Sequence, residues 1–142
     1  MQSEELSFMK NIVKIVFALL CLAFSIPAHS QDGSYDVFVP ISKYLAKGDT
    51  EKLSAWFADN LEISVPSNTS NSSKSQARQI LKSFFEAHTP RSFDITHTTG
   101  KGNMKYAVGS LNAGGERYLV TIFANVNGTD YRIQQIKIDR MQ

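Results

Sequence analysis

The stretch SFDITHTTGKGNMKYAVGSLNAGGERYLVTIFANVNGTDYRIQQIKID, residues 92–139, decides the fold. It reads as four strands in series: Ser92–Thr99, Asn103–Asn112, Arg117–Val126 and Tyr131–Asp139. The links are short and glycine-rich: Gly100-Lys101-Gly102, Ala113-Gly114-Gly115 and Asn127-Gly128. Asn-Gly between two apolar runs favours a tight type I′ hairpin, whose twist matches that of the flanking strands. Links this short lay each strand against its predecessor, so an antiparallel meander is expected. Alternation assigns the faces. Phe93, Ile95 and His97 share one side of the first strand, and Met104, Tyr106 and Val108 one side of the second. Tyr118, Val120 and Ile122 share one side of the third; on the fourth, Tyr131 and Ile133 are in phase, as are Ile136 and Ile138. The odd step from Ile133 to Ile136 calls for a bulge near Gln134-Gln135. These sets are read as the inner, concave face.

The segments upstream look built to cover that face. Tyr35–Lys47 is predicted helical, with Val37, Phe38, Ile41, Tyr44 and Leu45 on one side, Pro40 near the first turn and Gly48 as its stop. Asp49 is placed to cap a second helix, Thr50–Ala58, which directs Leu53, Trp56 and Phe57 one way. Leu61, Ile63 and Val65 alternate with polar residues in a short strand that Pro66 ends. Ser67–Ser73 is composed of Ser, Asn and Thr and reads as a mobile loop, because such side chains compete for backbone hydrogen bonds. Lys74–His88 is the longest predicted helix, with Ala77, Ile80, Leu81, Phe84, Phe85 and His88 in a wide apolar stripe. Helices first and strands last imply an α+β domain with three helices on one side of a curved, mainly antiparallel sheet.

Residues 1–30 read as a leader rather than as part of the fold. Lys10 and Lys14 precede Ile15–Ile26, an apolar run of about a dozen residues that is short for a membrane-spanning helix. Ala28-His29-Ser30 fits a signal-peptidase site, so the mature chain is expected to be one domain, residues 31–142, beginning at Gln31 and exported to the periplasm or secreted. The competing reading is an uncleaved membrane anchor. After cleavage no membrane association is expected. The single cysteine, Cys21, lies in the leader, so no disulfide or thiol chemistry is expected of the domain. The net charge is +2 with Lys and Arg scattered, which argues against a nucleic-acid partner. His88 and His97 are the domain's two histidines, too few with no cysteine to suggest a metal site, and no Gly-rich phosphate loop opens a helix. No cofactor is expected.

The order α-α-β-α-β-β-β-β resembles the nuclear transport factor 2-like fold, also called cystatin-like, and the stretch Gly48-Asp49-Thr50-Glu51…Leu53…Trp56-Phe57 resembles that superfamily's opening helices. Three segments are similar to domain of unknown function 4783, a family of small exported bacterial proteins. They are Ser75-Gln76-Ala77…Leu81…Phe84-Phe85, Pro90-Arg91-Ser92-Phe93…His97 and Tyr131-Arg132-Ile133-Gln134-Gln135-Ile136-Lys137-Ile138. The resemblance covers nearly all of residues 31–142. It implies a cone of helices on a bent sheet with a conical pocket, and export from the cytoplasm. It implies no activity, since the superfamily holds both enzymes and binders.

In such a cone the strand walls would carry His97, Tyr106 and Tyr118, with Trp56, Phe84 and Phe85 closing it from the helices. Aromatic walls with a few polar tips suit a small apolar or aromatic ligand; the competing reading is a cone filled by these side chains. His97 is the one candidate general base. Such a base wants an orienting carboxylate, and Asp94, Asp130 and Asp139 are out of phase or in turns, which leaves Glu116 at a strand end. Three functions follow: a non-catalytic binding module for a small ligand or a protein, a small isomerase or dehydratase using His97, and an interaction subunit docking through the outer sheet face. The last rests on Leu119, Thr121 and Phe123, an apolar outward set flanked by Lys105, Arg132 and Lys137 that would suit a homodimer.

Overall fold

Six strands form one sheet in the order β2-β1-β6-β5-β4-β3, with helices on one of its faces. The structure is a computed structural model and describes residues 36–127 and 130–142. The leader, the cut before Gln31, Tyr35 and the Asn127-Gly128 turn lie outside the described residues or at their edge. The elements are α1 (Phe38–Lys47), α2 (Thr50–Ser54), β1 (Phe57–Val65), β2 (Asn68–Ser73), α3 (Lys74–Ala87), β3 (Pro90–Lys101), β4 (Met104–Ala113), β5 (Glu116–Asn127) and β6 (Asp130–Arg140). β3 to β6 make the expected antiparallel meander; β1 joins it in parallel to β6 and pairs antiparallel with β2.

The punctuation of the sequence is the punctuation of the fold. Gly48 ends α1 in the left-handed region, φ 66°, where a Cβ would clash. The Asp49 carboxylate accepts from the Lys52 N–H at 3.1 Å and caps α2. Ser73 and Gln76 form a reciprocal capping box that starts α3. Gly114 and Gly115, both at positive φ, close a two-residue hairpin between the paired residues Ala113 and Glu116.

The helices cover the inner face. α1 packs across β3, and α3 across β1 and β2. Ile41, Leu45, Leu53, Leu81, Phe84 and Phe85 meet Phe57, Ile63, Leu111, Tyr118, Ile122, Ile136 and Ile138, all buried. The bulge in β6 is where the alternation required it: Phe123 pairs with Gln135 and Ala124 with Ile133, so Gln134 is the extra residue. On β5 the inward set is as read.

Four expectations are corrected. α2 stops at Ser54, and Phe57 is not a helical residue but the first of β1, fully buried; Trp56 sits half-buried in the turn between them. Residues 68–73 are not a loop. β2 is held by main-chain pairing to β1, including Leu61 with Ser72 and Ile63 with Ser70, and by a Ser64–Thr69 hydroxyl contact of 2.8 Å. A strong partner strand overrides weak side-chain propensity. On β4 the inward residues are Ala107, Gly109, Leu111 and Ala113, while Met104, Tyr106 and Val108 face outward. The Phe93 ring explains this choice: a Cβ added at Gly109 would lie 2.5 Å from it, so only the smallest side chain fits. Finally, β3 carries a bulge at Thr96. Ile95 pairs with Gly109 on the inner side and His97 with Val108 on the outer, so His97 is turned out and exposed.

Candidate functional site

These corrections decide what became of the expected pocket. Phe84, Phe85 and Tyr118 do come together under the helices: Phe84 lies edge-on to Phe85 at 5.7 Å and to Tyr118 at 5.3 Å between ring centroids. Trp56 borders the core, half-buried, and its carbonyl accepts from Ile133 N–H at 2.7 Å. His97 and Tyr106 are on the other side of the sheet. The six residues therefore do not line one cavity, and the inner side is packed by its own aromatic side chains.

The polar end of this core is a small network around Tyr118. The Tyr118 hydroxyl donates to Glu116 Oε2 at 2.9 Å, and Arg140 Nε lies 3.2 Å from the same oxygen. Burial, then the Glu116 carboxylate it donates to, pushes the Tyr118 phenol above its ordinary value, with Arg140 opposing. Glu116 has the inward phase read from sequence, but it serves the phenol and the guanidinium rather than a histidine. His88 completes the cluster. Its ring stacks on Phe84 at 4.7 Å and stands edge-on to Tyr118 at 5.8 Å. Nδ1 lies 3.2 Å from the Phe84 carbonyl. A carbonyl only accepts, so Nδ1 carries the proton of that bond and Nε2 keeps the remaining capacity. The signal for this placement was the spacing of four from Phe84 along the helix stripe. Neither histidine hydrogen-bonds a carboxylate among the described residues, so the dyad asked of His97 is not assembled.

The outer face of the sheet is more apolar than the sequence suggested. Phe123 pairs with Tyr106, ring centroids 4.7 Å apart, and their neighbours on this face are Val108, Leu119 and Met104. Met104 is 45% exposed and, with Val39 on α1 and Met141 after β6, is one of three exposed large hydrophobic residues among those described. Lys105, expected to flank the ridge, points to the inner side, its Nζ 5.2 Å from the Tyr131 ring centroid. Lys137 stays outward and meets Asp139 at 3.7 Å. At one end of the ridge a groove of about 490 Å³ opens, bounded by Met104 and Phe123 on one side and by Glu62, Asn71 and Gln135 on the other. Gln135 Nε2 donates to Glu62 Oε1 at 2.8 Å and fixes that wall. Among the described residues no three His, Cys, Asp or Glu side chains are placed to hold a metal ion, and no helix is long and apolar enough to cross a membrane.

Comparison with known proteins agrees with this architecture. The profile of the domain of unknown function DUF4783 matches residues 38–139. A DUF4783 protein from Bacteroides uniformis superposes with a TM-score of 0.71 at 20% identity, over 75% of this chain and 99% of that one. One from Bacteroides fragilis gives 0.68 at 20% identity, over 76% and 100%. A nuclear transport factor 2-like protein of unknown function from Cytophaga hutchinsonii gives 0.55 at 8% identity, over 75% and 88%. No curated protein sequence matches the chain.

Proposed function

This chain belongs to the DUF4783 family with a nuclear transport factor 2-like fold, and from that premise we propose that it is an exported, non-catalytic binding module that works through the outer face of its sheet. The observation that carries the proposal is the outward cluster of Tyr106, Val108, Leu119, Phe123 and the 45%-exposed Met104. A solvated sheet face ordinarily alternates to charged and polar residues. Here the apolar centre is rimmed by Lys137, Asp139 and Glu62, the arrangement of an interface core with a polar margin. Aromatic residues and Met are the side chains that interface cores favour. On the inner face, Tyr118, Phe84 and Phe85 are buried side by side and fill the space between the helices and the sheet.

A second copy of the chain is the occupant that this surface suits, since a two-fold axis needs only one self-complementary patch. A stable pair would bury about 800 Å² on each partner. Phe123→Glu would place a charge against an apolar surface with no partner, which is costly. The wild-type domain is expected to run as a dimer by light scattering after gel filtration, and Phe123→Glu and Leu119→Glu as monomers. A wild-type monomer, or a dimer indifferent to both substitutions, refutes the reading.

A further inference from the structure

The surface of α3 is sorted into stripes. Ala77, Leu81, Phe84 and Phe85 are buried against the sheet. Lys74, Arg78, Lys82 and Glu86 recur every fourth residue and make a charged stripe, from which Arg78 reaches Glu51 at 3.5 Å. Between these stripes, facing the β1–β2 hairpin, run Gln76, Gln79, Ile80 and Ser83, which carry no charge. β2 opposite is Asn68–Ser73 and carries none either.

Two clefts lie in series along this seam. One, of about 380 Å³, has Ile80 and Phe84 as apolar surface and Asn68, Gln79, Ser83 and His88 as polar walls. The next, of about 410 Å³, shares Gln79 and Ile80 with the first and is otherwise lined by Gln76, Asn71 and serines. Each volume is within the range of small-molecule sites. Every polar group around both clefts is a hydroxyl, a carboxamide or the His88 imidazole.

We propose that this trench between α3 and β2 is a binding site for a neutral, extended, polyhydroxylated ligand, an oligosaccharide. A carboxamide presents a donor and an acceptor side by side, which matches vicinal hydroxyls, each both donor and acceptor. The half-buried Ile80, with the buried Phe84 beneath it, gives the trench an apolar strip that suits the C–H face of a sugar ring. An ionic ligand would leave its charge unpaired there, since no lysine, arginine or carboxylate lines either cleft. Two clefts in line suit several linked rings rather than one. His88 is held at the end of the trench by its bond to the Phe84 carbonyl and its stacking on the Phe84 ring, leaving Nε2 to bond the ligand. The site also gives a role to a strand of Asn, Ser and Thr, residues that are poor strand formers.

The test is a ¹⁵N-correlation NMR titration of the domain with maltohexaose, cellohexaose and chitohexaose, and with hexagalacturonate as the acidic control. At least one neutral sugar should shift the amides of β2 and of Gln79 to His88, with a Kd of about 1 mM, as an open, shallow site implies. Gln79→Ala should weaken that binding, and Ser83→Trp, which fills the trench from an exposed position, should weaken it about tenfold, or 1.4 kcal/mol. Phe123→Glu, on the opposite face, should leave it unchanged, so this result stands apart from the fate of the sheet interface. Absence of trench shifts with all three neutral sugars, equal binding of the acidic control, or indifference to Ser83→Trp overturns the proposal.

Discussion

Replacing Gly109 by alanine should destabilise the domain, and the sign of the effect decides which face of β4 is covered. The new Cβ would lie 2.5 Å and 2.6 Å from Phe93 ring atoms and 2.8 Å from the Asp94 carbonyl oxygen. Ordinary contacts begin at 3.4 Å, so the shortfall is roughly 1 Å against atoms with little room to move. Phe93 is 7% exposed and boxed in by the core. The oxygen belongs to β3, whose pairing with β4 would have to give. Overpacking of this kind costs about 1–3 kcal/mol. It is offset in part by about 0.4–1 kcal/mol, because alanine has fewer unfolded conformations to lose than glycine. Taking the middle of each range, a net loss of roughly 1 kcal/mol should lower Tm by about 4–8 °C in a domain of this size.

The assay is thermal and denaturant unfolding followed by circular dichroism. Were Met104, Tyr106 and Val108 the inward set, Gly109 would face solvent, and alanine would stabilise the strand by about 0.4–1 kcal/mol. A variant as stable as wild type, or more so, therefore refutes the assignment. Phe93→Leu removes the ring atoms that Cβ meets, so a double-mutant cycle should show a coupling of about 0.5–3 kcal/mol, the usual range for residues in contact.

Three further outcomes are expected. Phe84→Ala should cost about 3–5 kcal/mol by denaturant unfolding, because the ring is buried among Phe85, His88 and Tyr118; an unshifted midpoint would remove α3 from the core. The raised Tyr118 phenol makes the neutral form the one the fold favours, so its contribution is complete below about pH 10, the ordinary tyrosine value, and is lost as pH rises through the folded-state value. Tyr118→Phe should accordingly flatten the alkaline limb of the stability profile, and an identical limb would argue against the assignment. Intact-mass measurement of protein recovered outside the cytoplasm should give a chain beginning at or near Gln31; a form that retains Ile15–Ile26 would overturn export by cleavage.

Most of the architecture was legible in the residues because the relevant signals are local. Gly48 and Asp49 mark helix ends by backbone geometry that few residues satisfy. The bulge at Gln134 was readable because it throws two isoleucine pairs out of phase, a mismatch visible in the pattern itself. The bulge at Thr96 was not. Thr, His and Thr follow Ile95, and none has a strong preference for one face, so the alternation runs on unmarked while the chain slips by one residue. The same limit hid β2, whose stability lies in its pairing with β1 and not in its own side chains. Leu53, Trp56 and Phe57 fit a helical stripe in sequence, and it is the pairing with β6, Phe57 with Ile133 and the Ile133 N–H to the Trp56 carbonyl, that draws the chain into extended form there.

The error on β4 matters most for function. Alternation groups Met104, Tyr106 and Val108 on one face of β4 without saying which face is inward, but a curved sheet under three helices has a fixed inner volume. Tyr118, Phe93 and Phe84 already take it, so the strand crossing beneath them can offer only Ala107, Gly109 and Ala113 around Leu111. The bulk of Met104, Tyr106 and Val108 is then forced onto the outer face, beside Leu119 and Phe123. Filling the cone and building the outer ridge are thus one event in the sequence, written into the alternation of β4. Shifting β4 by one residue would drive Met104, Tyr106 and Val108 into space that Tyr118, Phe93 and Phe84 already take, and would leave only Ala107, Gly109, Leu111 and Ala113 beside Leu119 and Phe123 outside. The chain has taken the opposite setting, which packs the inner side and leaves the bulky residues of β4 on the outer face.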